Sequence, residues 1–132
     1  MTTPSIFISH GQRDAELAKR VETALERLGL ETFSPLRDVR SGEDWRRAIQ
    51  TAIKRSDAVI ILFSTPQYLS LNWTSYEVGI AEALGKRVIL LLPSKYPVTE
   101  LPADFASTQI VEFDPQAPER AAHEIAARLA VV

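Results

Sequence analysis

The sequence predicts an α/β domain built on a five-stranded parallel sheet with helices on both faces. Apolar runs alternate with amphipathic helical patterns along the whole chain. Two of those runs, "DAVIILFS" and "RVILLLP", are apolar at nearly every position, the pattern of central parallel strands covered by helices on both sides. At 132 residues the chain has the length of one domain, residues 1–132, and a domain of this size buries roughly two thirds of its unfolded surface.

The elements follow in order. "SIFIS", Ser5 to Ser9, is short, apolar and rich in β-formers, and reads as the first strand. "RDAELAKRVETALERLGL" places Leu17, Val21, Leu25 and Leu28 on one helical stripe, with Gly29 as a C-terminal cap. "ETFSP" is a weak second strand, and "PLRDVRSGED" a polar loop containing Pro35 and Gly42. A second helix carries Trp45, Ala48, Ile49, Ala52 and Ile53 inward. "DAVIILFS" is the third strand, opened by Asp57. The next helix, "NWTSYEVGIAEALGKR", has Trp73, Glu77, Ile80, Ala81 and Leu84 on one face and ends at Gly85. "RVILLLP" is the fourth strand and "QIVEF" the fifth, with a proline-punctuated loop from Pro93 to Ala106 between them. "PERAAHEIAARLA" closes the chain as an amphipathic helix, with Ile125 and Leu129 on its apolar face and His123 on its surface.

Composition excludes several functions. The chain has no cysteine, so disulfides, thiolate metal sites and thiol nucleophiles are ruled out. Two histidines far apart in sequence lack metal-ligand spacing, and no metal is expected. A net charge of -2, from 15 basic and 17 acidic residues, gives no field suited to nucleic acid. No apolar run approaches the roughly 18 residues of a membrane span, and the N-terminus lacks a leader's basic and apolar regions. The expectation is a soluble, cytoplasmic protein with no membrane partner.

A site is expected beyond the carboxyl ends of the strands, where strand order reverses. In a flavodoxin-like order that point lies between the first and third strands, which end in "SHGQRD" and "FSTPQY". Neither G-x-G-x-x-G nor G-x-x-x-x-G-K-[ST] is present, so dinucleotide-fold and P-loop chemistry are disfavoured. A carboxylate on the apolar stripe at Glu77 needs either a partner or a wet cleft. Two readings stay open at this level. "TSYE" fits a capping box, with Thr74 as N-cap and Glu77 its N3 partner, or Glu77 faces the crevice. Trp73 reads as packing or as a wall of that crevice, and His10 as a ligand contact or a loop residue.

The chain resembles a Toll/interleukin-1 receptor (TIR) domain of the compact kind found in bacteria and plants. The pieces are "FISH" with Asp14 downstream, "RDVRSGEDW", "SDAVIILFSTPQYLSLNW", the pair Trp73 and Glu77, and "GIAEALGKRVILLL", in the family's order across nearly the whole chain. Asn72 stands where the family commonly has serine, and Thr74 where cysteine is common. The resemblance implies a flavodoxin-like three-layer fold with strand order 2-1-3-4-5. It also implies that Glu77, as the glutamate of W-x-x-x-E, is the catalytic residue of an NAD+-cleaving enzyme.

Breaking the nicotinamide–ribose bond passes through an oxocarbenium-like state, which one preorganised carboxylate can stabilise without a metal or cofactor, NAD+ being the substrate. Around Glu77, the expected substrate contacts are Phe7, Ser9, His10, Arg37, Asp38, Trp45, Ser64 and Trp73. The product would be ADP-ribose, a cyclic isomer or a conjugate, serving as a signal in bacterial antiphage immunity and read by a separate effector protein. Self-association between TIR domains is implied as well. The alternatives are a non-catalytic adaptor working through such self-association and, more weakly, an enzyme like the nucleoside deoxyribosyltransferases.

Overall fold

The computed structural model describes residues 4–10, 14–34, 45–62, 79, 81, 83–94 and 109–130. Along the chain these form β1 (Ser5–His10), α1 (Ala15–Arg27), β2 (Glu31–Phe33), α2 (Trp45–Arg55), β3 (Ala58–Leu62), β4 (Arg87–Pro93), β5 (Gln109–Phe113), one 3-10 turn (Pro118–Arg120) and α3 (Ala121–Ala130). Residues 79, 81 and 83, ahead of β4, are also helical. All neighbouring strands pair in parallel, in the order β2-β1-β3-β4-β5. The expected flavodoxin-like order is therefore the observed one.

Strand burial follows from position in the sheet. β3 is buried at all of its positions, as a strand flanked on both edges and covered on both faces must be. β5, at the sheet's edge, alternates instead: Val111 and Phe113 are buried while Gln109 and Glu112 are exposed. Period-two alternation divides the core into two layers. Ile6, Ile8, Ile60, Leu62, Ile89 and Leu91 pack with Val21 and Leu25 of α1 and Ile125 of α3. Phe7, Val59, Ile61, Leu90 and Leu92 pack with Ile49 and Ile53 of α2 and with Ala81.

Register is set at the strand entrances. Asp57 Oδ2 accepts a 2.7 Å hydrogen bond from the Ser5 backbone N–H, and the Asp57 N–H donates to the Ser5 carbonyl at 2.7 Å. Asp57 thereby locks β1 and β3 at the pair Ile6↔Ala58.

Two leucines assigned to helical stripes lie elsewhere. Leu28 is the C-cap of α1 and 41% exposed, and Leu84, just before Gly85, is 40% exposed. In each case the stripe ends one turn earlier, because the chain reverses through a Schellman-type cap. Leu30 N–H donates to Leu25 O at 3.1 Å, Gly29 N–H to Glu26 O at 3.0 Å, and Lys86 N–H to Ala81 O at 2.8 Å. In α1 the inward positions are taken instead by Ala18 and Glu22 beside Val21 and Leu25.

Gly29 sits at φ +90°, with open space where a Cβ would stand. A substitution there meets backbone strain alone, and left-handed geometry costs an L-residue roughly 1–2 kcal/mol. Gly29→Ala is expected to lower unfolding free energy by about 1 kcal/mol in urea denaturation, and Gly29→Asn by less.

The turn after β5 is tied to α1. Arg20 Nη2 lies 2.7 Å from Glu119 Oε2 and donates to Glu119 Oε1 at 2.9 Å and to the Gln116 carbonyl at 3.3 Å. The Glu119 carboxyl is held below the ordinary carboxylate range, chiefly by a hydrogen bond from its own backbone N–H and, against desolvation, by Arg20. A lowered folded-state value stabilises the fold above the unfolded carboxylate pKa, and that contribution is lost as pH falls through the lowered value. Glu119→Gln should therefore flatten this acid limb of stability against pH, measured by urea denaturation across the carboxylate range. The effect is small and weakened by salt, because both side chains are exposed.

Candidate functional site

The carboxyl ends of β1 and β3 lie side by side, with Ser9 paired to Ile61 and His10 to Leu62. Here the chain's path reverses: β1 leads through α1 to β2 on one side, while β3 lies on the other. This is the switch point at which open α/β sheets bind ligands.

Of the residues expected at the site, Phe7, Ser9 and His10 fall within the described structure, and Trp45 begins α2. The Trp45 side chain lies outside the described residues, as do Arg37, Asp38, Ser64, Trp73 and Glu77.

Ser9 is buried, with 1% of its surface exposed, and its Oγ has no hydrogen-bond partner among the described residues. A buried hydroxyl of this kind is uncommon, since unmade hydrogen bonds cost on the order of 1–3 kcal/mol. Its location at the switch point makes it a ready donor and acceptor for a polar ligand group. Phe7 lies two residues deeper on the same face of the sheet. It is fully buried and stacked on Phe33, ring centroids 5.6 Å apart at 22°. Phe7 forms the apolar floor beneath Ser9.

Alternation along β1 sends His10 to the opposite face, the α1 side. There the imidazole is half-buried, and its Nε2 lies 3.0 Å from Ser34 Oγ. His10 and Ser34 line a cavity of about 440 Å³ together with Ala15, Lys19, Glu22, Thr23 and Glu26 of α1. That volume is within the range of small-molecule sites. Glu22 is buried, and Glu26 Oε1 accepts a 2.6 Å hydrogen bond from Thr32 Oγ1, which ties α1 to β2. The structure thus groups Phe7 with Ser9 on one face and His10 with Ser34 on the other. Ser34 was not anticipated from the sequence. The available signal was a small polar residue leaving a strand at the carboxyl edge, directly before Pro35.

Among the described residues, no cluster of three or more His, Asp or Glu side chains is placed to hold a metal ion. No helix among them is long and apolar enough to cross a membrane.

Comparison with known proteins gives the family. No curated protein matches the sequence. Among solved structures, a metazoan TIR-STING receptor from C. gigas, in complex with 2′,3′-cGAMP, is similar over 98% of this chain, with TM-score 0.78 and 21% identity. The chain spans only 42% of that receptor's length. The TIR domain of the Toll-related receptor TRR-2 from Hydra magnipapillata matches over 93% of this chain and 94% of its own, with TM-score 0.73 and 22% identity. A 2-deoxyribosyltransferase from Bacillus psychrosaccharolyticus covers 95% of both chains, with TM-score 0.67 and 19% identity. At these identities the likenesses establish the fold. The model of the TIR domain family matches residues 6–129, nearly the whole chain, and the protein therefore belongs to the TIR domain family.

Proposed function

We propose that this TIR domain cleaves the nicotinamide–ribose bond of NAD+, with Glu77 as the residue that stabilises the developing charge. The observation that carries this reading is the family match across residues 6–129 in a chain that has the W-x-x-x-E pattern at Trp73 and Glu77. The buried Ser9 hydroxyl at the switch point, which has no hydrogen-bond partner among the described residues, supports it. So does Ala81, four residues after Glu77 in sequence, which is buried in the cluster containing Phe7 and Ile61, on Ser9's side of the sheet.

The chemistry follows from those groups. The C1′–N bond breaks heterolytically, its electron pair returning to the pyridinium nitrogen as neutral nicotinamide leaves. Positive charge spreads over C1′ and the ring oxygen, and a fixed carboxylate lowers the energy of that state more than that of the ground state. Water adding at C1′ and releasing a proton gives ADP-ribose. An internal or external nucleophile in its place gives a cyclic isomer or a conjugate. Ser9, Arg37, Asp38 and Ser64 serve as contacts to ribose and phosphate, and Trp45 and Trp73 as aromatic walls. The product acts as a signal, read by a separate effector protein in antiphage defence, and self-association of the domain completes the site.

The test is nicotinamide release from NAD+ by concentrated protein, with products identified by mass spectrometry and 2′-deoxynucleosides run in parallel. Nicotinamide release supports the reading, and product mass separates hydrolysis from cyclisation. Base exchange on deoxynucleosides alone would move the assignment to transferase chemistry, a reading favoured by the deoxyribosyltransferase likeness over 95% of both chains. Inactivity on both, even at high protein concentration and with candidate inducers, would leave the adaptor role.

A further inference from the structure

We propose that Ser34 is a positioning residue of the NAD+-cleaving site: its hydroxyl clasps His10 and so fixes the exit of β2 against the exit of β1. The functional part of this inference rests on the NAD+-cleaving reading. Its structural part does not.

The backbone ladder between β1 and β2 ends at the pair Phe7↔Phe33. β1 continues through Ile8, Ser9 and His10, paired there with β3, while the strand at the edge ends at Phe33 and is followed by Ser34 and Pro35. Proline has no N–H to extend a ladder, and it restricts the residue before it to extended backbone. Where backbone pairing stops, the 3.0 Å contact between His10 Nε2 and Ser34 Oγ takes over, joining residues 24 apart in sequence. Ser34 has no exposed surface and His10 is half-buried, so the bond is partly shielded from competing water, which makes it costlier to lose.

The clasp lies between two groups of proposed substrate contacts. His10 is peptide-bonded to Ser9, and Ser34 precedes Arg37 and Asp38 by three and four residues. Holding the two exits together fixes the point at which the chain leaves β2 relative to Ser9. Ser34 itself lies on the α1 side, across the sheet from Ser9, and acts through His10.

Ser34→Ala is expected to raise KM for NAD+ about tenfold while kcat changes less than about twofold, in line with the loss of one shielded hydrogen bond. Ser34→Thr, which keeps the hydroxyl, should restore KM. A second readout needs no turnover. Imidazole 15N spectra should show the His10 Nε2 resonance at one place in wild type and in Ser34→Thr, and moved from it in Ser34→Ala, where the contact with Oγ is lost. An unchanged His10 spectrum in Ser34→Ala overturns the clasp. A changed spectrum with unchanged KM overturns its role at the site. A wild type that releases no nicotinamide overturns the NAD+ reading, and the ring spectrum still decides whether Ser34 orders His10.

Discussion

Replacing Glu77 by glutamine is expected to lower nicotinamide release by roughly two to three orders of magnitude, the effect typical of removing one preorganised group that stabilises transition-state charge. Glutamine keeps the size and hydrogen-bonding reach of the side chain and removes its charge, so the substitution separates electrostatics from packing. The loss should appear in kcat, because in the proposed mechanism the carboxylate acts on charge that develops only as the glycosidic bond breaks. NAD+ binding, followed by titration calorimetry on the variant, should change little. The capping-box reading of "TSYE" predicts the reverse. A helix-capping glutamate contributes on the order of 1 kcal/mol to stability, and the glutamine variant, itself a competent capping-box partner, would then turn over NAD+ at nearly the wild-type rate. That result would move catalysis away from Glu77.

Phe7→Ala is expected to destabilise the fold by about 3–5 kcal/mol, a large share of the roughly 5–15 kcal/mol that holds a domain together. Phe7 has no exposed surface, packs among Ile49, Ile53, Val59 and Ile61, and stacks on Phe33. Its removal empties a space bounded by the central strands and α2, which cannot close without moving the sheet. Stacking adds about 0.5–1.5 kcal/mol beyond burial. Phe7→Leu, which refills most of the volume, should cost distinctly less. Urea denaturation checks this: a lowered midpoint at unchanged slope means lost stability without a change in the folded state's compactness. If Phe7→Ala instead kept its midpoint and lost activity, Phe7 would be a substrate contact and not the floor of the site.

The two variants divide the candidate site by physical role. Phe7 supports Ser9 from below through packing, an effect spread over the whole fold. Glu77 is expected to act at one bond through charge, with little effect on stability. Ser34, in the positioning role proposed for it, falls between these, since its contact with His10 joins two strand exits.

Much of this architecture is legible in the sequence because it depends on neighbours a few residues apart. The continuous apolar runs at residues 58–62 and 88–92 identify strands buried on both faces, and those are the strands buried throughout. Gly29 and Gly85 identify helix ends, and both adopt positive φ. The 3.6-residue period of α2 identifies Ile49 and Ile53 as inward residues, and both are fully buried. Extending the same period one turn too far put Leu28 and Leu84 in the core. It failed because the cap reverses the backbone before the stripe ends, a local event that hydrophobicity does not register.

What the sequence by itself determined is the set of elements, their alternation and hence a parallel α/β sheet, since each of these follows from local periodicity and burial. Only the tertiary structure decided the relations across the sheet. Ser9 and His10 are adjacent in sequence, yet the pleat sends one toward α2 and the other toward α1. Ser9 has no hydrogen-bond partner among the described residues, and no property of its own segment reveals that. Ser34 meets His10 only because β2 pairs with β1 and its ladder stops at Phe33, two residues before Pro35. Such contacts depend on strand order and register, which are fixed by how the whole chain packs.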